Sequence, residues 1–168
     1  MNKKLIIING AMGVGKTTIS KMLYKDLENS FWLDGDNCWM MSPFIVDEEN
    51  KNMVIGNIVY ILNTFINNSK SKHIIFNWVI HTDEIMNDIL DRIDTSNIDV
   101  YKITLTASKG TLVGRIKEDI KNGLRDEGNI QRSLERLPLY DKMDTLKVDT
   151  TNKKFSMILE EIKEIINS

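Results

Sequence analysis

The chain has 168 residues, 42% of them hydrophobic and 27% charged, which suits one globular domain, residues 1–168, with a substantial core. Its 22 basic and 24 acidic residues leave a net charge of −2, so no overall field draws it to nucleic acid or an anionic membrane, and no apolar run approaches the roughly 20 residues of a membrane span. A single cysteine, Cys38, permits no internal disulfide, and the amino terminus has no signal-peptide cleavage site, which sets the expectation of a cytoplasmic protein.

Lys3–Asn9 is an apolar, β-branched run of the length of a buried parallel strand. It runs into Gly10-Ala11-Met12-Gly13-Val14-Gly15-Lys16-Thr17, which reads G-x-x-x-x-G-K-T, the phosphate-binding loop. Thr18 to Leu27 follows, with Ile19, Met22, Leu23 and Leu27 at helical spacing. A strand before and a helix after are the context that the motif requires. Its glycines let successive N–H groups turn inward on phosphate oxygens, and the helix adds the positive end of its dipole. Lys16 is placed to bridge the β- and γ-phosphates, and Thr17 to set its hydroxyl on a magnesium ion. Thr18 continues the cradle.

Phe31–Asp34 reads as a second strand that ends in the polar turn Asp34-Gly35-Asp36-Asn37. Cys38 to Phe44 is irregular and apolar. A helix spans Glu48 to Asn68, and His73–Trp78 forms a third strand. Thr82 caps a helix predicted through Arg92, with Asp83 and Glu84 in its first turn. Ile98–Leu105 is a fourth strand, and Ser108 opens a helix to about Asn122. Gly123 to Gly128 interrupts it. A helix over Ile130–Lys142 is expected to be disturbed at Pro138. Thr145–Val148 is a fifth strand, and Phe155 to Ile166 a final amphipathic helix. Alternating strands and helices predict an α/β fold with a parallel sheet covered on both faces. Ligands in such folds sit at the carboxyl ends of the strands. That places the phosphate loop, residues 34–37 and residues 77–81 on one rim, with Trp78 and His81 beside them. His73, at the other end of its strand, is structural.

The phosphate loop, the Leu33-Asp34-Gly35-Asp36 turn after the second strand and an arginine-bearing segment before a short last strand resemble the small-molecule kinases of the nucleoside-monophosphate kinase fold. These include the shikimate, gluconate and adenylylsulfate kinases and antibiotic phosphotransferases. The resemblance covers nearly the whole chain. It implies a three-layer α/β/α domain with a five-stranded parallel sheet of order 2-3-1-4-5, ATP and Mg2+ as cofactors, and a mobile lid over about residues 117–137. It implies further that Asp34 holds magnesium, that Asp36 contacts the acceptor hydroxyl as base, and that Arg115 stacks on adenine. Among the lid arginines Arg125, Arg132 and Arg136, one or two stabilise the transferring phosphoryl group, Arg125 and Arg132 being the candidates carried forward.

Charge placement narrows the acceptor. No arginine lies in residues 35–72, the acceptor region of this fold. Kinases for anionic acceptors grip them with guanidinium groups. Here stand Trp39, Met40, Met41 and Phe44, with Lys51 the cation nearest them in sequence. The third strand ends in Asn77 where many phosphate-loop proteins carry a magnesium-linked Asp, which disfavours a motor ATPase. Phe155 stands where guanine recognition needs an Asp. The expectation is an ATP-dependent phosphotransferase acting on a hydroxyl of a small, non-anionic molecule, in a monomer or homodimer without nucleic-acid or membrane partners. The alternative is a nucleotide-binding protein that senses or sequesters a ligand.

Overall fold

The structure, a computed structural model, describes residues 2–168. Five parallel strands, β1 (Lys3–Gly10), β2 (Ser30–Asp34), β3 (His73–Asn77), β4 (Ile98–Thr106) and β5 (Leu146–Asp149), form one sheet of order β2-β3-β1-β4-β5. This is the order that the resemblance to the small-molecule kinases implied. β1 lies at the centre because Leu5, Ile6, Ile7 and Ile8 are apolar on both faces and fully buried, as a strand covered from both sides requires.

Six helices flank the sheet: α1 (Lys16–Asp26), α2 (Glu48–Asn67), α3 (Asp83–Leu90), α4 (Lys109–Lys121), α5 (Gly128–Lys142) and α6 (Phe155–Asn167). Two adjacent lysines display the layering. Lys3 Nζ donates to the carbonyls of Ile66 and Asn68 at 2.5 and 2.8 Å, at the end of α2. Lys4 Nζ donates to the carbonyl of Ile166 at the end of α6. Successive strand residues point to opposite faces, so α2 and α6 lie on opposite sides. Each ammonium meets the negative end of a helix dipole.

Local signals set the boundaries. Asp47 caps α2 through Asn50 N, Thr82 caps α3 through Ile85 N, and Ser108 caps α4 through Thr111 N. Three expectations need adjusting. α3 stops at Leu90 rather than Arg92. The polar turn at 34–37 extends into the segment expected to be irregular: Asp34 Oδ1 accepts from Asp36 N at 3.1 Å and starts a 3₁₀ turn over Gly35–Trp39 that takes in Cys38 and Trp39. α5 runs unbroken through Pro138. Tyr140 and Met143 beyond the proline are 1% and 5% exposed, and this anchoring outweighs the roughly 3 kcal/mol that an interior proline costs.

The register aligns the strand tips. Asp34 pairs with Asn77, Asn77 with Ile8, Gly10 with Leu105, and Thr106 with Asp149. The loops leaving these tips form one rim. No helix among the described residues is long and apolar enough to cross a membrane.

Candidate active site

The phosphate loop joins β1 to α1. Gly15 precedes the helix at φ 109°, a left-handed conformation that favours glycine. A methyl group there would sit 2.8 Å from the Phe155 ring. The N–H groups of Lys16, Thr17 and Thr18 start the helix and so have no intrahelical acceptor, and no N-cap side chain takes its place. They face a rim where an anion meets both N–H donors and the helix dipole. Thr17 and Thr18 are exposed, whereas Ala11 and Val14 are buried and support the loop from below.

Lys16 is buried and donates to the carbonyls of Gly10 and Ala11 at 2.9 and 3.0 Å. Burial pulls its pKa down from 10.5 to about 8, partly offset by Asp36 and Asp34, while Arg125 lowers it further. Thr17 Oγ1 donates to Asp34 Oδ2 at 2.9 Å. The hydroxyl and carboxylate expected to share a magnesium ion are thus in contact. Both are hard oxygen donors, and no cluster of three acidic, histidine or cysteine side chains exists among the described residues. That donor set fits Mg2+, which takes one or two protein oxygens and completes its shell with phosphate and water.

Asp36 stands one residue beyond Gly35, whose backbone packs so closely on Trp78 that a methyl there would lie 2.5 Å from the indole. Desolvation and then Asp34 raise the Asp36 pKa. Lys16, Arg125 and a hydrogen-bonding interaction with the Trp78 side chain pull the other way. Lys16, Asp34, Asp36 and Arg125 therefore share one electrostatic environment.

The arginines at 125, 132 and 136 separate. Arg125 Nε is 2.7 Å from Asp119 Oδ2, with its charge felt at Lys16 and Asp36. Arg132 is engaged within the start of α5, 3.3 Å from Asp126 Oδ1 and 3.4 Å from the Gly128 carbonyl. Arg136 bears on His81, whose pKa is lowered by burial and then by that charge. Arg115 reaches under the phosphate loop. Its guanidinium donates to Val14 O at 3.1 Å, Thr150 Oγ1 at 2.9 Å and Thr150 O at 2.9 Å, and lies 5.9 Å from the Phe155 ring centroid. It ties α4 to the loop and to the β5–α6 turn.

Two supports escaped sequence reasoning. Asn9 is fully buried. Its Nδ2 donates to Ile80 O at 2.8 Å, and its Oδ1 accepts from Thr104 Oγ1 at 2.6 Å. It holds the β3–α3 loop, with Trp78 and His81, against β1. A polar residue closing an otherwise apolar strand was the available signal. Thr150 had none, because its partner Arg115 is 35 residues away. Asn77 is also accounted for: its Oδ1 accepts from Trp32 Nε1 at 2.7 Å, a bond between β3 and β2.

The sequence profile of the AAA domain matches residues 6–135. No curated protein matches the chain. Solved structures resemble it at low identity. The tunicamycin resistance protein of Deinococcus radiodurans superposes with a TM-score of 0.76 at 20% identity, over 98% of this chain and 95% of that one. A gluconokinase from Sinorhizobium meliloti 1021 does so with 0.67 at 15%, over 94% and 88%. A sugar kinase from Janibacter sp. gives 0.67 at 15%, over 98% and 95%. At these identities the likeness establishes a shared phosphate-loop α/β fold.

Proposed function

The chain belongs to the AAA-domain family, and from that premise we propose that it is an ATP-dependent phosphotransferase that moves the γ-phosphate of ATP to a hydroxyl of a small, non-anionic molecule. The observation that carries this reading is the convergence of Lys16, Asp34, Asp36 and Arg125 on one rim, where each charge perturbs its neighbours. The kinase fold and the kinases among its structural neighbours support it.

The residues divide the work. The loop from Gly10 to Thr18 wraps the phosphates with N–H donors, and the Lys16 ammonium turns from its own carbonyls to phosphate oxygen. Thr17 and Asp34 would hold Mg2+, which neutralises phosphate charge when bound. The acceptor oxygen attacks the γ-phosphorus, the bond to the β–γ bridging oxygen breaks, and ADP leaves. Asp36 takes the hydroxyl proton. Its raised pKa makes it a better base than an ordinary aspartate. Arg125 exchanges Asp119 for the transferring phosphoryl group as the 117–137 lid closes. Arg115 is the residue on which adenine would stack, its guanidinium held in place by Val14 O and Thr150. Lys51, the cation nearest the aromatic residues in sequence, is 2.7 Å from Glu48, which supports an uncharged acceptor.

A screen for ADP release with Mg-ATP against sugars, nucleosides and antibiotics tests this. One class accelerates release in wild type and none does in Lys16→Ala. Nucleotide binding without stimulation by any acceptor would favour a ligand sensor instead.

A further inference from the structure

Immediately beyond Asp36 the chain exposes an apolar run. Met40 is 82%, Phe44 66% and Val46 58% exposed. Phe44 packs against Trp39 with ring centroids 5.4 Å apart and the rings tilted by 39°. Asp36 and Trp39 are three residues apart in the Gly35–Trp39 3₁₀ turn, where side chains at i and i+3 eclipse. The carboxylate assigned to the acceptor hydroxyl and the aromatic pair therefore share an edge, separated by about 6 Å along the turn axis. Trp78, packed on Gly35, closes the near side. Residues 35–50 hold Asp36, Asp47, Glu48 and Glu49 and no basic residue. The shelf is thus apolar, aromatic and bordered by negative charge.

We infer that this shelf binds an apolar arm of the acceptor, so that the substrate is an amphipathic alcohol: an uncharged or cationic hydroxyl-bearing head at Asp36, joined to a hydrocarbon or aromatic part lying on Trp39, Met40 and Phe44. This rests on the phosphotransferase reading and specifies its substrate class. Small apolar patches are common on soluble proteins, but this one is continuous with the catalytic turn. A head of sugar or nucleoside size seated at Asp36 directs its substituent along the turn axis onto the Trp39–Phe44 pair. The bordering carboxylates repel an anionic acceptor and leave an apolar arm as the complementary partner.

The probes are the n-alkanols from butanol to octanol, each a hydroxyl with an arm and no head group to guess. Affinity for wild type, read by tryptophan fluorescence and checked by NMR shifts, rises about two- to fourfold per methylene. The slope flattens in Met40→Ser/Phe44→Ser, is retained in Phe44→Leu, and ATP affinity is the same in all three. Both residues are exposed, so the variants keep the fold. A flat wild-type series overturns the inference, as does a slope that survives the double serine variant. Sedimentation separates a second copy of the chain as the occupant: a wild-type dimer that the serine variant dissociates, with the alkanol slope unaltered, also overturns it. A variant-sensitive slope without ADP release for any acceptor supports the shelf while the phosphotransferase reading fails. Transfer to acceptors lacking an arm, together with a flat slope, does the reverse.

Discussion

The Thr17 hydroxyl donates to Asp34 Oδ2 across 2.9 Å, joining the end of the phosphate loop to the end of β2. The same carboxylate accepts from Asp36 N through its other oxygen. Asp34 thereby connects the phosphate loop to the Gly35–Trp39 turn, which in the proposed function are the nucleotide and acceptor sides of the rim. Asp34→Asn keeps the shape and loses the charge. Half-saturation of ADP release by Mg2+ should rise by about 10- to 100-fold, with Mg-nucleotide affinity falling in parallel by calorimetry. An unchanged magnesium dependence would remove Asp34 from the metal site.

Lys16 makes two opposite pH dependences. With its pKa lowered to about 8, the free protein loses the ammonium as pH rises through that value, and nucleotide affinity should fall between pH 7 and 9. Stability should move the other way. The unfolded lysine keeps its proton to about 10.5, so between about 8 and 10.5 the unfolded state binds more protons and rising pH favours the native state. Lys16→Met removes both slopes and at neutral pH should be the more stable protein, by up to about 3 kcal/mol, at 1.36 kcal/mol per pKa unit. Urea titrations at the two pH values, alongside nucleotide binding, check this.

As the proposed base, Asp36 must be ionised to act, and its pKa is raised by desolvation and then by Asp34. The acid limb of kcat should therefore lie above the ordinary aspartate range. In the metal-free protein Asp34→Asn removes the second cause and should lower the Asp36 pKa, read by NMR titration of its carboxyl carbon. Asp36→Asn should lower kcat by about 100-fold or more while ATP affinity holds. If it turns over like wild type, the proton goes elsewhere, and His81 on the same rim is the next base to test.

The lid arginines should divide as their neighbours do. Arg125→Ala should lower kcat by about 100-fold or more, because it deletes a cation poised beside the phosphate loop. Arg132→Ala should cost about threefold or less, since its exposed pair with Asp126 is of a kind that contributes little. Equal losses in both variants would mean that lid closure rearranges α5 more than the resting contacts imply.

The strands, helices and parallel sheet were legible because patterning is local, while the strand order came from the resemblance to the small-molecule kinases. A fully apolar strand, a glycine loop and a capped helix each declare themselves within a dozen residues, and alternation of strands and helices then limits the topology. The phosphate loop was legible for the same reason: Gly10 to Thr17 carry their chemistry in backbone conformation and spacing. The 3₁₀ turn was not, because it depends on one carboxylate oxygen of Asp34 turning back to Asp36 N while the other takes the Thr17 proton. The division of labour among arginines was equally hidden. Arg115, Arg125, Arg132 and Arg136 have the same side chain within about one lid's length of sequence. Only folding places one against Thr150, one near Lys16, one on Asp126 and one by His81. Patterning specifies which residues can bury or bend. Which charge faces which is a long-range property, set when α4 and α5 pack over the strand tips.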